Sequence, residues 1–161
     1  MTTPDPDRPA EPFSDLPRDP GAATQEIRRR MIDEWRSVLR STGRQIDKAT
    51  FGTSYLSAPP SWSAQMTVSF SVRDESQWPD LESALATAVA RNGWTQAGVS
   101  HGLNVRKGPL FLKGGCSVST TCTFQVRTAR LEDVTLAPNE PGDGSVAELA
   151  EFLAHPTRSA T

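Results

Sequence analysis

The chain has 161 residues, a formal net charge of −2 and an apolar share of 36%. That length suits one domain plus a tail, and the acidic balance argues against a nucleic-acid binder, which carries a basic excess. No stretch approaches the ~20 consecutive apolar residues of a membrane-spanning helix.

The first twenty residues, MTTPDPDRPAEPFSDLPRDP, hold six of the thirteen prolines and four aspartates. They offer almost nothing to bury, so the entropy of ordering them goes uncompensated, and residues 1–22 are expected to form a disordered arm. The start lacks the basic and apolar regions of a secretory signal. As written, the chain is expected in the cytoplasm, with the cell envelope as the alternative if a leader is missing.

AATQEIRRRMIDEWRSVLRSTG predicts the first helix. Ile27, Met31, Trp35, Val38 and Leu39 recur at helical spacing, with Thr24 as the expected N-cap and Gly43 as the stop. The triplet Arg28–Arg30 invites a phosphate-binding reading, but flanking acids make a solvated helix face the simpler one. RQIDKATFGTSYLSAPP is irregular, with a short strand expected around Phe51–Leu56. Next, Trp62, Ala64, Met66, Val68, Phe70 and Val72 alternate with Ser63, Gln65, Thr67, Ser69 and Ser71, the period of a strand with one buried and one wet face.

WPDLESALATAVARNGW predicts the second helix, with a stripe of Leu81, Leu85, Ala88 and Val89 and a stop at Asn92-Gly93. Three strands are expected after it: about Thr95–Ser100, then Leu103–Leu112 with a kink at Gly108-Pro109, then Cys116–Thr128. His101-Gly102 and Lys113-Gly114-Gly115 are the expected turns. SVAELAEFLAHP closes as a short helix with Ser145 and Glu148 as a capping box. The expected fold is thus α+β, in the order α-β-α-β-β-β-α. A mostly antiparallel sheet of about four strands carries helices on one face. Residues 23–156 form the single domain and 157–161 a flexible C-terminus.

Cys116 and Cys122 have two placements. On one long strand they lie roughly 20 Å apart, too far for a bond. With a turn at Val118-Ser119-Thr120 they lie opposite each other and can bond. Val-Ser-Thr lacks the residues that favour positive φ, so turn chemistry favours one strand and two free, buried thiols.

Chemistry-bearing motifs are few. GVSHG, Gly98–Gly102, matches G-x-S-x-G, and Asp143 and His155 follow in the order of α/β-hydrolases. The match would make Ser100 a nucleophile. An elbow needs a parallel strand before it and a helix after it, whereas Leu103–Pro109 reads as a strand with a breaker. His101 and His155 are too isolated for a metal site. Asp80 and Glu82 suit a helix N-terminus better than an acid/base pair. Trp35 and Trp62 belong to apolar faces, and Trp78 and Trp94 bracket the second helix as packing anchors rather than as a ligand platform. Arg106-Lys107 without interleaved exposed aromatics is a weak nucleic-acid signal. No catalytic, cofactor-binding or metal-ligating residue is singled out, and no cofactor is expected.

LESALATAVARNGWTQAG, GLNVRKGPLFLKGG and the alternating strand with a late cysteine together resemble small actinobacterial LppA-like domains described as putative lipoproteins. The likeness covers about Thr24 to Arg130, with Asn92-Gly93-Trp94 as its compact signature. It implies an α+β architecture and an envelope setting, and carries no catalytic residues. This chain lacks a lipobox cysteine near its start. The expected function is a non-enzymatic protein-binding or accessory module. Its serine- and threonine-rich sheet face is a potential contact surface for a protein partner. A lipoprotein-like envelope domain and a small serine hydrolase are the alternatives.

Overall fold

The computed structural model describes residues 13, 15–58, 60–97, 102–118, 120–139 and 144–154. Helix α1 spans Pro20–Thr42, strands β1 and β2 Lys48–Ser57 and Pro60–Ser71, and helix α2 Trp78–Arg91. Strands β3 to β6 follow at Thr95–Gln96, Leu103–Lys107, Leu110–Val118 and Thr121–Thr128, and a 3-10 segment at Ala147–Phe152. The sheet has six strands in the order β1-β2-β6-β5-β4-β3, with every pair antiparallel. The α+β class and the mostly antiparallel sheet agree with expectation, while the strand number and element order differ. After the β1–β2 hairpin, α2 carries the chain to the far edge, and β3 to β6 meander back to pair with β2.

The α1 stripe is buried as the spacing requires: Ile27, Met31, Trp35, Val38 and Leu39. Its start is earlier than expected. Asp19 is the cap, accepting from the Ala22 N–H at 2.9 Å, with Pro20 in the first turn. Thr24 has another task, donating to the Pro20 carbonyl and accepting from the Ala137 N–H, each at 2.8 Å. The α2 stripe is the expected one, Leu81, Leu85, Ala88 and Val89. Trp35 fills the core between helix and sheet, and its indole N–H donates to the Met66 carbonyl at 3.1 Å.

Three strand assignments are corrected. The segment around Phe51–Leu56 is a full ten-residue strand paired along its length with β2. Leu103–Leu112 is two strands, not one with a kink. Lys107 pairs with Leu110, and Gly108, at φ 56°, leads a two-residue turn with Pro109. Cys116–Thr128 also divides, into the end of β5 and all of β6, with Cys116 opposite Cys122 and Val118 opposite Thr121. The cysteines form a disulfide with Cα atoms 4.1 Å apart, the close spacing of an antiparallel pair. The expected free thiols are overturned. A register shift between Cys116 and Val118 brings the chain round, and the Val72 N–H donates to the Thr120 carbonyl at 2.9 Å, holding the bend against the end of β2.

The expected turn Lys113-Gly114-Gly115 lies inside β5. A Cβ on Gly114 would sit 2.2 Å from the Thr123 carbonyl oxygen, so the glycine serves close approach of two strands.

The C-terminal segment is a 3-10 stretch rather than an α-helix, and Val146, not Ser145, stands at its start without a side-chain cap. Glu148 pairs with Arg28 of α1 instead, through two bonds of 2.5 and 2.9 Å. This segment runs along the outer edge of β1. Phe51 N–H donates to Gly144, Val146 N–H to Ala49 and Ile46 N–H to Phe152, while Thr53 N–H donates to the Asn139 side chain. The β1 edge is thus covered, and the other edge is the two-residue β3.

Candidate functional site

Both helices pack on one face of the sheet, through α1 on β2 and β6 and α2 on β4 and β5. That face carries Ala64, Met66, Val68, Phe70, Cys122, Phe124 and Val126, all buried. Among the described residues no helix covers the opposite face. By alternation it presents Ser63, Gln65, Thr67, Ser69 and Ser71 from β2 and Thr121, Thr123, Gln125 and Arg127 from β6. Gln125 donates to the Thr67 hydroxyl across the strands at 3.3 Å.

Phe111 is a buried aromatic on this polar face. It is 1% exposed but stands outside the main core cluster. Register places it between Arg106 of β4 and Arg127 of β6, in one row across the sheet. The Arg127 guanidinium carbon lies 6.0 Å from the ring centroid and the Lys113 Nζ 5.9 Å from it. Two cationic heads thus lie at cation–π distance from the ring.

Beside Phe111 lies a depression of about 350 Å³, lined by Ser63, Gln65, Gln125, Arg127 and Arg130 among others. Its shape has a local cause. β6 pairs in register with β2 as far as Arg127 opposite Gln65, but Leu131 bridges Trp62, so one extra residue is accommodated between them. Thr128 keeps the inward alternation of β6, and its hydroxyl accepts from the Ala64 N–H, while the extra residue sets Arg130 over Ser61, to whose hydroxyl its Nε donates at 3.0 Å.

The charge pattern of the sheet is one-sided. None of the six strands contains Asp or Glu, whereas Lys48, Arg106, Lys107, Lys113 and Arg127 are all strand residues. Lys107 turns to the helix side and pairs with Glu34 of α1 at 2.9 Å. Lys48, Arg106, Lys113 and Arg127 alternate onto the other face. Guanidinium, carboxamide and hydroxyl groups are of the kind that bind anions and donate hydrogen bonds to them.

Of the residues weighed from sequence, Gly98–His101, Asp143 and His155 lie outside the described residues. The elements flanking GVSHG are the antiparallel strands β3 and β4, not the parallel strand and helix of a nucleophile elbow. The Arg28–Arg30 triplet is engaged in ion pairs, Arg28 with Glu148 and both Arg29 and Arg30 with Glu26. The tryptophans are dispersed. Trp35 and Trp94 are buried, Trp78 is half-buried, and Trp62 is half-buried at the β1–β2 tip against Tyr55. Asp80 pairs with Arg44, and Glu82 accepts from the Cys116 N–H at 3.1 Å. Among the described residues no three His, Cys, Asp or Glu side chains gather as a metal site, and no helix is long and apolar enough to cross a membrane. The Phe111 cluster escaped sequence reasoning because aligning Arg106, Phe111 and Arg127 requires the register of three strands. The local signal was Phe111 and Lys113 alternating with the core residues Leu110 and Leu112.

Compared with known proteins, the chain matches no family model, no curated protein and no solved structure.

Proposed function

We propose that the chain is a non-enzymatic protein-binding module whose contact surface is the open face of the sheet around Phe111. The observation that carries this reading is the charge pattern: six strands without a carboxylate, four of whose cations face away from the helices, in a chain of net charge −2. Segregated charge of one sign steers and selects a partner of the other. The Ser, Thr and Gln side chains between the cations supply hydrogen bonds without demanding burial. The disulfide favours an oxidising setting outside the cytoplasm, because such bonds persist there and are rare in reducing compartments. That placement agrees with the envelope setting implied by the LppA-like resemblance.

The test is site-specific photo-crosslinking in the native host. Benzoylphenylalanine is placed at Thr123 or Ser71, both exposed on the open face, and at Arg40, exposed on α1. Discrete protein adducts from Thr123 and Ser71 but not from Arg40 support the reading. Adducts from Arg40 alone, or none from any position, sink it.

A further inference from the structure

Among the described residues, the two exposed large apolar side chains are neighbours, Tyr55 at 51% and Leu56 at 50%. They stand at the end of the β1–β2 hairpin, beyond the last β2–β6 pair at Gln65 and Arg127. We infer that this hairpin end is a membrane-surface contact, which enters the headgroup region of a zwitterionic bilayer through Tyr55, Leu56 and Trp62.

Geometry comes first. Past the bridge from Trp62 to Leu131, the hairpin runs on alone to the Ser57–Pro60 pair. Two residues past Trp62 project about 7 Å, within the roughly 5–10 Å to which amphipathic helices sink at an interface. Successive strand residues point to opposite faces. Tyr55 therefore leans on Trp62, with ring centroids 5.0 Å apart, while Leu56 stands on the other face opposite Ser61. Both faces of the hairpin are apolar at this end. A flat protein surface would cover one and leave the other wet, whereas a lipid interface surrounds both. Tyr and Trp favour that depth, because each has an apolar ring and a polar edge. Among the described residues, the bonds that cover the β1 edge run from Ala49 to Thr53. The backbone beyond them is satisfied by headgroups and water but not by hydrocarbon, which holds the contact at headgroup depth.

Charge supplies the second part. Residues 49–72 contain no Asp, Glu, Lys, Arg or His, so the hairpin enters without desolvating a charge. It also offers nothing to an oppositely charged partner. At its root, Leu131 is followed by the exposed Glu132 and Asp133, against one cation, Arg130, whose Nε donates to Ser61. That shoulder is net negative. It complements the outward choline of a zwitterionic headgroup and is repelled by the negative potential of an anionic surface.

The experiment is flotation of the purified, oxidised full-length chain with phosphatidylcholine vesicles on a sucrose gradient. The chain is expected to float with the lipid. Tyr55→Ser with Leu56→Ser should weaken partitioning about tenfold or more, through the apolar area lost, with the melting transition still in place. Leu56→Trp, folded to the same extent, should strengthen it severalfold. Adding phosphatidylglycerol to the vesicles should weaken binding. No flotation at millimolar lipid overturns the inference, as does flotation that Y55S/L56S leaves unchanged. Binding that strengthens with phosphatidylglycerol overturns it too, because the contact would then belong to the basic strand residues. A lipid-free dimer in sedimentation, abolished by Y55S/L56S, would assign the hairpin end to a second copy of the chain and overturn the lipid contact. Photo-adducts from Thr123 bear on the open face alone, so each surface stands or falls by its own test.

Discussion

At Gly114 one missing methyl group decides whether two strands can meet. A Cβ there would lie 2.2 Å from the Thr123 carbonyl oxygen and 2.6 Å from the Phe124 Cα, both backbone atoms that cannot swing aside. At the adjacent Gly115 the nearest atoms are the Glu82 carboxylate at 3.1 Å and the Gly102 Cα at 3.4 Å. Gly114→Ala is therefore expected to lower stability by about 3 kcal/mol, near the upper end for overpacking, and Gly115→Ala by much less. Urea unfolding of the two variants checks this, and equal losses would contradict the assigned contact. The same residue explains a misread turn. Lys113-Gly114-Gly115 has ideal turn composition, and nothing local distinguishes a glycine that lets the chain bend from one that lets another strand approach. Capping shows a similar limit at Asp19. Thr24 is the better-placed hydroxyl within the apolar periodicity, but Pro20 can begin a helix, and an acid before it completes the cap.

Whole elements were legible where periodicity was unambiguous. Both helical stripes and the alternation of β2 are buried as their spacing demands. The β5–β6 hairpin was not, for a geometric reason. Cys116 and Cys122 pair, as do Gly114 and Phe124, so partners share odd or even parity. Alternation then runs unbroken through the bend, and one long strand and a folded hairpin give the same pattern. The β4–β5 hairpin behaves differently. Leu103 and Val105 share a face with Leu110 and Leu112, and the shift from odd to even across Gly108-Pro109 marks a reversal rather than a kink. The disulfide joins the first of these hairpins close to its bend. Closing so short a loop restricts the unfolded chain modestly, and replacing both cysteines by serine is expected to cost about 2 kcal/mol by the loop-entropy relation. Denaturing alkylation should label neither cysteine before reduction and both after it. Two labels without reductant would refute the bond.

Across the whole molecule, sheet closure depends on contacts far apart in sequence. β1 would be an exposed edge of uncharged residues after Lys48, a template for unwanted pairing. Ala137, Asn139 and residues 144–154 cover it, and Glu148 fastens that cover to α1 through Arg28, whose guanidinium also lies 5.9 Å from the Phe51 ring centroid. No local pattern around Ser145 and Glu148 announces this, because the partner lies 120 positions away, and a capping box is the nearest reading of the same two residues. The pair leaves a titration signature. The hydrogen bonds from Arg28 hold the Glu148 carboxyl below its ordinary value of 4.5, with charge from Arg28 and Arg36 acting in the same direction. A depressed folded value means the contribution is fully present above the unfolded value and fades as pH falls through the folded one. Glu148→Gln should accordingly cost about 0.5–1 kcal/mol at pH 7, the range for a partly exposed ion pair of good geometry. As pH falls below 4.5 the gap between the wild-type and variant melting curves should narrow. A gap that stayed constant from pH 7 to pH 3 would show that Glu148 acts through packing, and the fastening of the β1 edge would then have to be sought in the backbone bonds of Gly144 and Val146.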